Sequence, residues 1–280
     1  MLKYRILTGS LLIAGLLGFV WLDASLDGTG HRLDSGGLLA LLCAVLIIPL
    51  LARETCHLVR SAGGAPSLVV TIVGSILLAL SMWRSGDGAM AVPATIMAAV
   101  LMLGFAAGMR NRDPKGSILA ASSTLLATGY SGGLLGFWLL LRSEHGAWVV
   151  LGAILTVKMA DIGAFTVGCS IGRRRLIPWL SPKKSWEGLL GGILAAMVLG
   201  GVLAHFSSHL AEGDRYDIVT GAVFGGAAAI LGLFGDLIGS AMKRDAGVKD
   251  SGAILPGLGG VIDTLDSLLV VGPLAWWMLA

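Results

Sequence analysis

Nine apolar runs, each near the length that crosses a bilayer, divide this chain from end to end and limit its fold more than any other feature. They occupy residues 6–22, 37–51, 68–83, 90–107, 118–141, 147–168, 188–204, 218–239 and 261–279. A hydrocarbon core of roughly 30 Å takes about 20 apolar residues per helix. Nine such spans consume most of the 280 residues and leave loops too short for a separate folded domain. The expected fold is all-α, a polytopic integral membrane helix bundle of about nine transmembrane helices, and any function must sit in or against the bilayer. Two regions are expected: about five N-terminal helices over residues 1–145, and a C-terminal region over 146–280.

Composition agrees. Hydrophobic residues make up 55% of the chain and charged residues 13%, whereas a soluble domain is nearer a quarter charged. A cytosolic enzyme, a disordered tail and a nucleic-acid binder are therefore excluded. The formal charge of +3 is too small and too scattered to track a phosphate backbone. Cys43, Cys56 and Cys169 lie far apart without a CxxC pair and read as small core residues.

The first run follows Lys3 and Arg5 and superficially resembles a signal peptide. Its apolar stretch exceeds the usual ~7 to 15 residues of a signal core and no clean A-x-A site follows, so an uncleaved helix is expected. With the N-terminus cytoplasmic, fifteen of the 20 Lys and Arg residues fall in inside segments. Only Arg32, Arg84, Arg142 and Arg215 fall outside, and Lys158 lies within a span. That imbalance sets the expected orientation. The polar loops after spans six and eight then share the cytoplasmic face. Trp83, Trp138, Trp148, Trp179, Trp186, Trp276 and Trp277 read as headgroup-level anchors. The Gly and Ala clusters around 188–192 and 221–229 read as close helix packing, not as a nucleotide loop.

The informative positions are the ionisable ones that hydropathy disfavours. Lys158 and Asp161 stand inside span six, three residues apart and so on one helical face. Each costs roughly 2.5 to 3.5 kcal/mol at mid-membrane. About 10 Å from the end of its apolar run, Asp161 can line a cavity opening toward the cytoplasm; a mutually neutralising structural pair is the alternative. The following loop carries Arg173, Arg174, Arg175, Lys183 and Lys184. Within it, Ser181-Pro182 reads as the N-capped start of a helix whose free N–H groups, with Lys183 and Lys184, suit a phosphate.

A third cluster straddles spans eight and nine. Asp236, Ser240 and Lys243 share one helical stripe, Asp263 and Asp266 are about one turn apart, and Arg244, Lys249 and Asp250 lie between. Three acids in a small volume need neutralising. Hard oxygen donors without His or Cys favour Mg²⁺, which takes one or two carboxylates plus substrate phosphates. The alternative is an ion-pair network with Lys243, Arg244 and Lys249.

These residues carry a resemblance. Ser240-Ala-Met-Lys243-Arg244-x4-Lys249-Asp250-x5-Pro256-x-Leu258-Gly259-Gly260-x2-Asp263-Thr264-x-Asp266 resembles the C-terminal signature of the phosphatidate cytidylyltransferases, or CDP-diacylglycerol synthases. Asp161-Ile-Gly-Ala164-Phe165-x2-Gly168-x3-Gly172 and Ser181-Pro-Lys-Lys-Ser-Trp-Glu187-Gly188 are similar to that family's second block, in the same order. The match covers about 158–270; the first half shares only hydropathy. Two positions depart, with Leu258 where the family usually has His and Thr264 where it has Arg. Every acidic position is intact, so the departures bear on substrate preference or rate more than on metal binding.

The resemblance implies that CTP and phosphatidic acid give CDP-diacylglycerol and pyrophosphate, at a cytoplasmic site in the C-terminal region of a bacterial inner membrane protein. It implies Mg²⁺ at Asp236 and Asp263, with Asp266 as a ligand or its neighbour and Asp250 beside them. Lys243, Arg244, Lys249, Lys183 and Lys184 would grip the triphosphate and lipid phosphate. Ser240 and Ser181 would hydrogen-bond a phosphate or a metal-bound water, and Asp161 would orient Lys158. A homodimer is expected from the family alone. The competing readings are a CTP-using enzyme on another lipid (a polyprenol kinase or isoprenoid-ether cytidylyltransferase), a secondary transporter, and a membrane scaffold. Charges gathered at one face, without an inverted repeat, argue against the transporter.

Overall fold

Each apolar run folds as one helical rod in the computed structural model, which describes residues 2–27, 36–84, 91–110, 112–210, 214–254 and 259–280. The rods are α1 (Leu2–Ser25), α2 (Gly37–Ser61), α3 (Leu68–Trp83), α4 (Ala91–Gly108), α5 (Ser117–Glu144), α6 (Ala147–Ile171), α7 (Trp186–Ser207), α8 (Ile218–Asp245) and α9 (Val261–Leu279). α2 and α5 each contain a turn wound as π-helix, Cys43–Ile47 and Gly129–Gly133. Seven rods are long and apolar enough to cross a membrane; α3 and the Ala14–Ser25 part of α1 are shorter. The protein is an all-α polytopic membrane protein.

Among the rods that outrun their apolar stretches, α2, α6 and α8 bear on the cavity end. α2 continues to Ser61 because Leu51, Ala52, Glu54, Thr55, Cys56 and Leu58 are buried on one side, while Arg53, His57 and Arg60 face outward. This is amphipathic periodicity, not hydropathy. α6 extends to Ile171, which puts Asp161 about 15 Å from its end instead of 10 Å. α8 carries its basic last turn, with Lys243 and Arg244, on to Asp245.

The loop between α6 and α7 corrects the expectation of a helix beginning at Ser181-Pro182. Residues Arg175–Ile177 (β1) and Ser181–Ser185 (β2) form an antiparallel hairpin, with Arg175 opposite Ser185 and Ile177 opposite Ser181. The helix starts at Trp186, where Ser185 is the N-cap and its Oγ accepts from Gly188 N at 3.1 Å. Glu187 closes the hairpin base by accepting from Arg173 N at 3.1 Å and Arg174 N at 3.2 Å. The cap lies four residues later than expected because the backbone of 181–185 is spent on hairpin pairing.

Small residues then allow α6, α7 and α8 to pack closely, as expected from the Gly clusters. A Cβ on Gly188 or Gly192 of α7 would stand 2.8 Å from the carbonyl oxygens of Ala164 and Ala160 of α6. The main core joins Leu51 of α2, Leu139 of α5, Val157 of α6, Phe224 of α8 and Ile262 of α9, so both halves of the chain share it. Trp138 belongs there too. Grouped with the anchors by sequence, it is 5% exposed and donates from Nε1 to Leu268 O at 3.0 Å. Trp179 and Trp277 are exposed as an anchor would be. Cys43 and Cys56 are buried, but Cys169 is exposed.

Contacts across the rods sort the loops into two ends. At one, Arg142 pairs with Asp23 and Asp27, and Gly146 N donates to Asp214. At the other, the hairpin meets α8 through Lys184 and Asp236, and Glu54 of α2 meets the start of α9. The loops after spans six and eight therefore share one end, as the alternation of spans requires.

Candidate active site

At the hairpin end a cavity of about 640 Å³ opens between α6, α7, α8, α9 and β2. Helix geometry explains how its charges converge. Lys158 and Asp161 lie one turn apart on α6, Asp236 and Lys243 two turns apart on α8, and Asp263 and Asp266 in the first turns of α9. β2 adds Ser181, Lys183 and Lys184. Interleaved with these charges, the lining is also apolar, with Ala160, Ala164, Leu189, Leu233 and a largely exposed Phe165.

Most charges in the cavity have a defined neighbour. Lys184 Nζ lies 2.6 Å from Asp236 Oδ2, joining hairpin to α8. Lys243 pairs with Asp263 Oδ1. Asp263 Oδ2 accepts from Ser251 N at 2.9 Å, Ser251 Oγ at 3.0 Å and Gly260 N at 2.9 Å. Lys158 Nζ is held at 3.3 Å by Asp161, at 3.1 Å by Thr264 O and at 3.3 Å by Ser267 Oγ. Asp161 thus sits beside Lys158, as the spacing suggested, and the pair is tied to α9 as well. Asp266 is buried, accepts from Ser267 N at 2.7 Å and feels the negative charge of Asp236. Thr264 supplies its carbonyl to Lys158, while its hydroxyl turns back to Gly260 O.

Nine of the thirteen residues singled out by sequence line this cavity: Lys158, Asp161, Ser181, Lys183, Lys184, Asp236, Lys243, Asp263 and Asp266. Ser240, Arg244, Lys249 and Asp250 do not. Arg244 is exposed and donates to Val248 O at 3.1 Å, closing the turn after α8. Leu258 and Pro256 lie outside the described residues.

The donor chemistry fits Mg²⁺ in one form. Among the described residues no three His, Cys, Asp or Glu side chains are grouped to hold a metal. An ion here would have two carboxylates at most from the protein, with substrate phosphates completing its oxygen shell, which is the Mg²⁺ habit. Lysines facing acids inside a half-apolar cavity also provide what a phosphorylated lipid needs: cations for its headgroup and a greasy wall for its chains.

A model of the cytidylyltransferase family matches residues 3–280. The chain belongs to the cytidylyltransferase family. It is 30% identical to a phosphatidate cytidylyltransferase of Bacillus subtilis, covering 100% of this chain and 98% of that protein. A phosphatidate cytidylyltransferase of Synechocystis is 33% identical over 83% of this chain and 85% of the relative. One of Haemophilus influenzae is 42% identical, but over 46% of this chain and 44% of that protein, so that match spans under half of the relative's length.

Membership covers the N-terminal half as well, where the motifs are silent. That half contributes Glu54, a residue sequence reasoning missed. Glu54 accepts from Val261 N, Ile262 N and Ser251 Oγ, some two hundred residues away. The one available signal was a carboxylate on the apolar face of an amphipathic helix end. Nothing in the linear order linked it to α9. Ser251 and Ser267 were missed for the same reason: their importance lies in partners distant in sequence.

Proposed function

We propose that the cavity transfers a cytidylyl group from CTP to phosphatidic acid, giving CDP-diacylglycerol and pyrophosphate. The observation that carries this reading is that both motif blocks meet in one cavity, whose lining combines lysines and acids with apolar, partly exposed side chains. The phosphatidate oxygen attacks the α-phosphorus of CTP, the new P–O bond forms, and the α–β anhydride bond breaks to release pyrophosphate. The nucleophile is already an anion at neutral pH, so no strong base is needed. Positioning and charge neutralisation supply the rate.

Lys184 and Lys183 of the hairpin and Lys243 of α8 bind phosphate oxygens in this scheme, and Lys158, steadied by Asp161, holds the lipid phosphate. Ser181 donates to a phosphate. Mg²⁺ would be held by two of Asp236, Asp263 and Asp266, and when bound it would neutralise triphosphate charge. Asp236 has one oxygen on Lys184, whereas Asp263 has both oxygens engaged. Asp236 would therefore be the more available carboxylate to such an ion, while Asp263 positions Lys243 at the cavity wall. Ser240, Arg244, Lys249 and Asp250 stand outside the lining and have no part in this scheme.

The positive-inside count supports a cytoplasmic orientation for this end of the bundle, in keeping with a bacterial inner membrane, where soluble CTP would meet a lipid that leaves the bilayer only at about 0.8 kcal/mol per buried CH₂. The test is purified protein with CTP and phosphatidic acid, with and without Mg²⁺, following lipid-linked cytidine and pyrophosphate. Cytidine on the lipid with pyrophosphate released is the expected result. Lipid phosphorylation with CDP release would replace this reading with a lipid kinase, and no turnover on any lipid would remove it.

A further inference from the structure

The helix that presents Asp263 and Asp266 has no side-chain cap of its own. Its N-cap residue is Gly260, and Asp263 at the third helical position reaches back to Gly260 N, leaving the N–H groups of Val261 and Ile262 to be satisfied otherwise. Glu54 of α2 supplies the missing half. Its Oε1 accepts from Val261 N at 2.9 Å and its Oε2 from Ile262 N at 3.0 Å. Glu54 is 5% exposed and takes part in none of the ion pairs among the described residues. A buried carboxylate without a cation is tolerable here because backbone donors and the positive end of the α9 dipole receive it.

The surroundings are shaped to that carboxylate. A Cβ on Gly252 would stand 2.6 Å from Glu54 Oε1, and one on Gly260 would stand 2.7 Å from the same atom. Ser251 then links it to the cavity: its Oγ lies 2.9 Å from Glu54 Oε2 and 3.0 Å from Asp263 Oδ2, while its N–H donates to Asp263. One hydroxyl proton faces two carboxylates, so Ser251 bridges them. The far oxygen of Asp263 holds Lys243 at the cavity wall.

We propose that Glu54 is a positioning residue of the active site: through Ser251 and the α9 N-terminus it sets where Asp263 and Lys243 stand. The proposal rests on the transferase reading of the cavity. It assigns the N-terminal half a part in the chemistry that the motif blocks do not contain. Glutamine in place of Glu54 keeps the shape but turns an N–H₂ donor toward a backbone N–H or the Ser251 hydroxyl, so one donor loses its acceptor.

The experiment compares wild type, Glu54→Gln, Ser251→Ala and the double variant in detergent, measuring folded fraction, kcat, and KM for CTP. A misplacement near 1 Å can cost about 100-fold, so kcat per folded molecule for Glu54→Gln should fall between about 10- and 100-fold with KM changed less than about threefold. Ser251→Ala, which keeps the Glu54 charge, should lose rate in the same direction, and the double variant should lose less than the product of the singles. Wild-type kcat per folded molecule in Glu54→Gln, whatever its folded yield, overturns the proposal, as does strict multiplicativity of the two losses. If Glu54→Gln gives no folded protein, an unchanged kcat in Ser251→Ala overturns it instead. A wild-type protein inert toward CTP and phosphatidic acid sinks the transferase reading itself, a separate outcome.

Discussion

The two ends of this helix bundle both gather charge, and they do so in opposite ways. At the end away from the hairpin, Arg142 is almost wholly buried, with Nε on Asp23 at 2.7 Å, one terminal nitrogen on Asp27 at 2.6 Å and the other on His145 O at 3.1 Å. Every arm of the guanidinium is used and the group ties α1 to α5. At the hairpin end, Lys158, Asp161 and Asp236 are each a third or more exposed, and their ion pairs face an open cavity. Charges closed off by matched partners hold helices together. Charges left facing a cavity are available to a ligand, and exposed pairs contribute little stability of their own.

That contrast can be broken by mutation. The largest effect should come from Asp236→Asn and Asp263→Asn, each lowering kcat per folded molecule by about 100- to 1,000-fold; Asp236→Asn, at an exposed carboxylate, should keep its melting temperature within a few degrees, whereas Asp263→Asn, whose pair with Lys243 is largely buried, should lose stability as well. Steady-state rates with a thermal melt check it, and near-normal turnover in either variant would remove that acid from the site. Arg142→Ala should do the reverse. Leaving Asp23 buried and unpaired costs about 3 to 5 kcal/mol of stability, with kcat per folded molecule unchanged. A smaller change is expected from Leu233→Trp, which fills the apolar wall; KM for phosphatidic acid should rise about three- to tenfold with KM for CTP nearly constant.

The smallest effect sharpens the comparison at a single exposed cap. Asp217 accepts from Thr220 N at 2.7 Å and from its hydroxyl at 3.1 Å, and these bonds hold its carboxyl below the usual range. A depressed folded value contributes stability above the unfolded pKa of about 4, lost as pH falls through the folded value. Asp217→Ala should therefore lower the melting temperature slightly at pH 7 and not at all at pH near 2, with kcat untouched. Thermal melts at the two pH values measure it.

Much of this molecule was legible before any coordinates. The nine apolar runs match nine helices among the described residues, and Asp161, Lys184, Asp236 and Lys243 reach one cavity. What misled was local resemblance. Ser181-Pro182 resembles a helix cap, yet its backbone pairs in a hairpin and Ser185 caps instead. Trp138 was read as an anchor because it lies near the end of an apolar run, while its indole N–H is satisfied inside the core. Ser240, Arg244, Lys249 and Asp250 belong to the motif by spacing but are not among the residues that line the cavity.

Bilayer thickness and the cost of exposed backbone write span number, alternation and the shared end of two loops into the linear order, so sequence alone determined them. Short helical spacing did the same for which charges share a face. The pairing of individual carboxylate oxygens was decided only by the folded chain. Asp263 is saturated by Ser251, Gly260 and Lys243, and Glu54 caps a helix two hundred residues away. Such contacts depend on ångström-scale approach between distant segments, and no local pattern of residues encodes that distance.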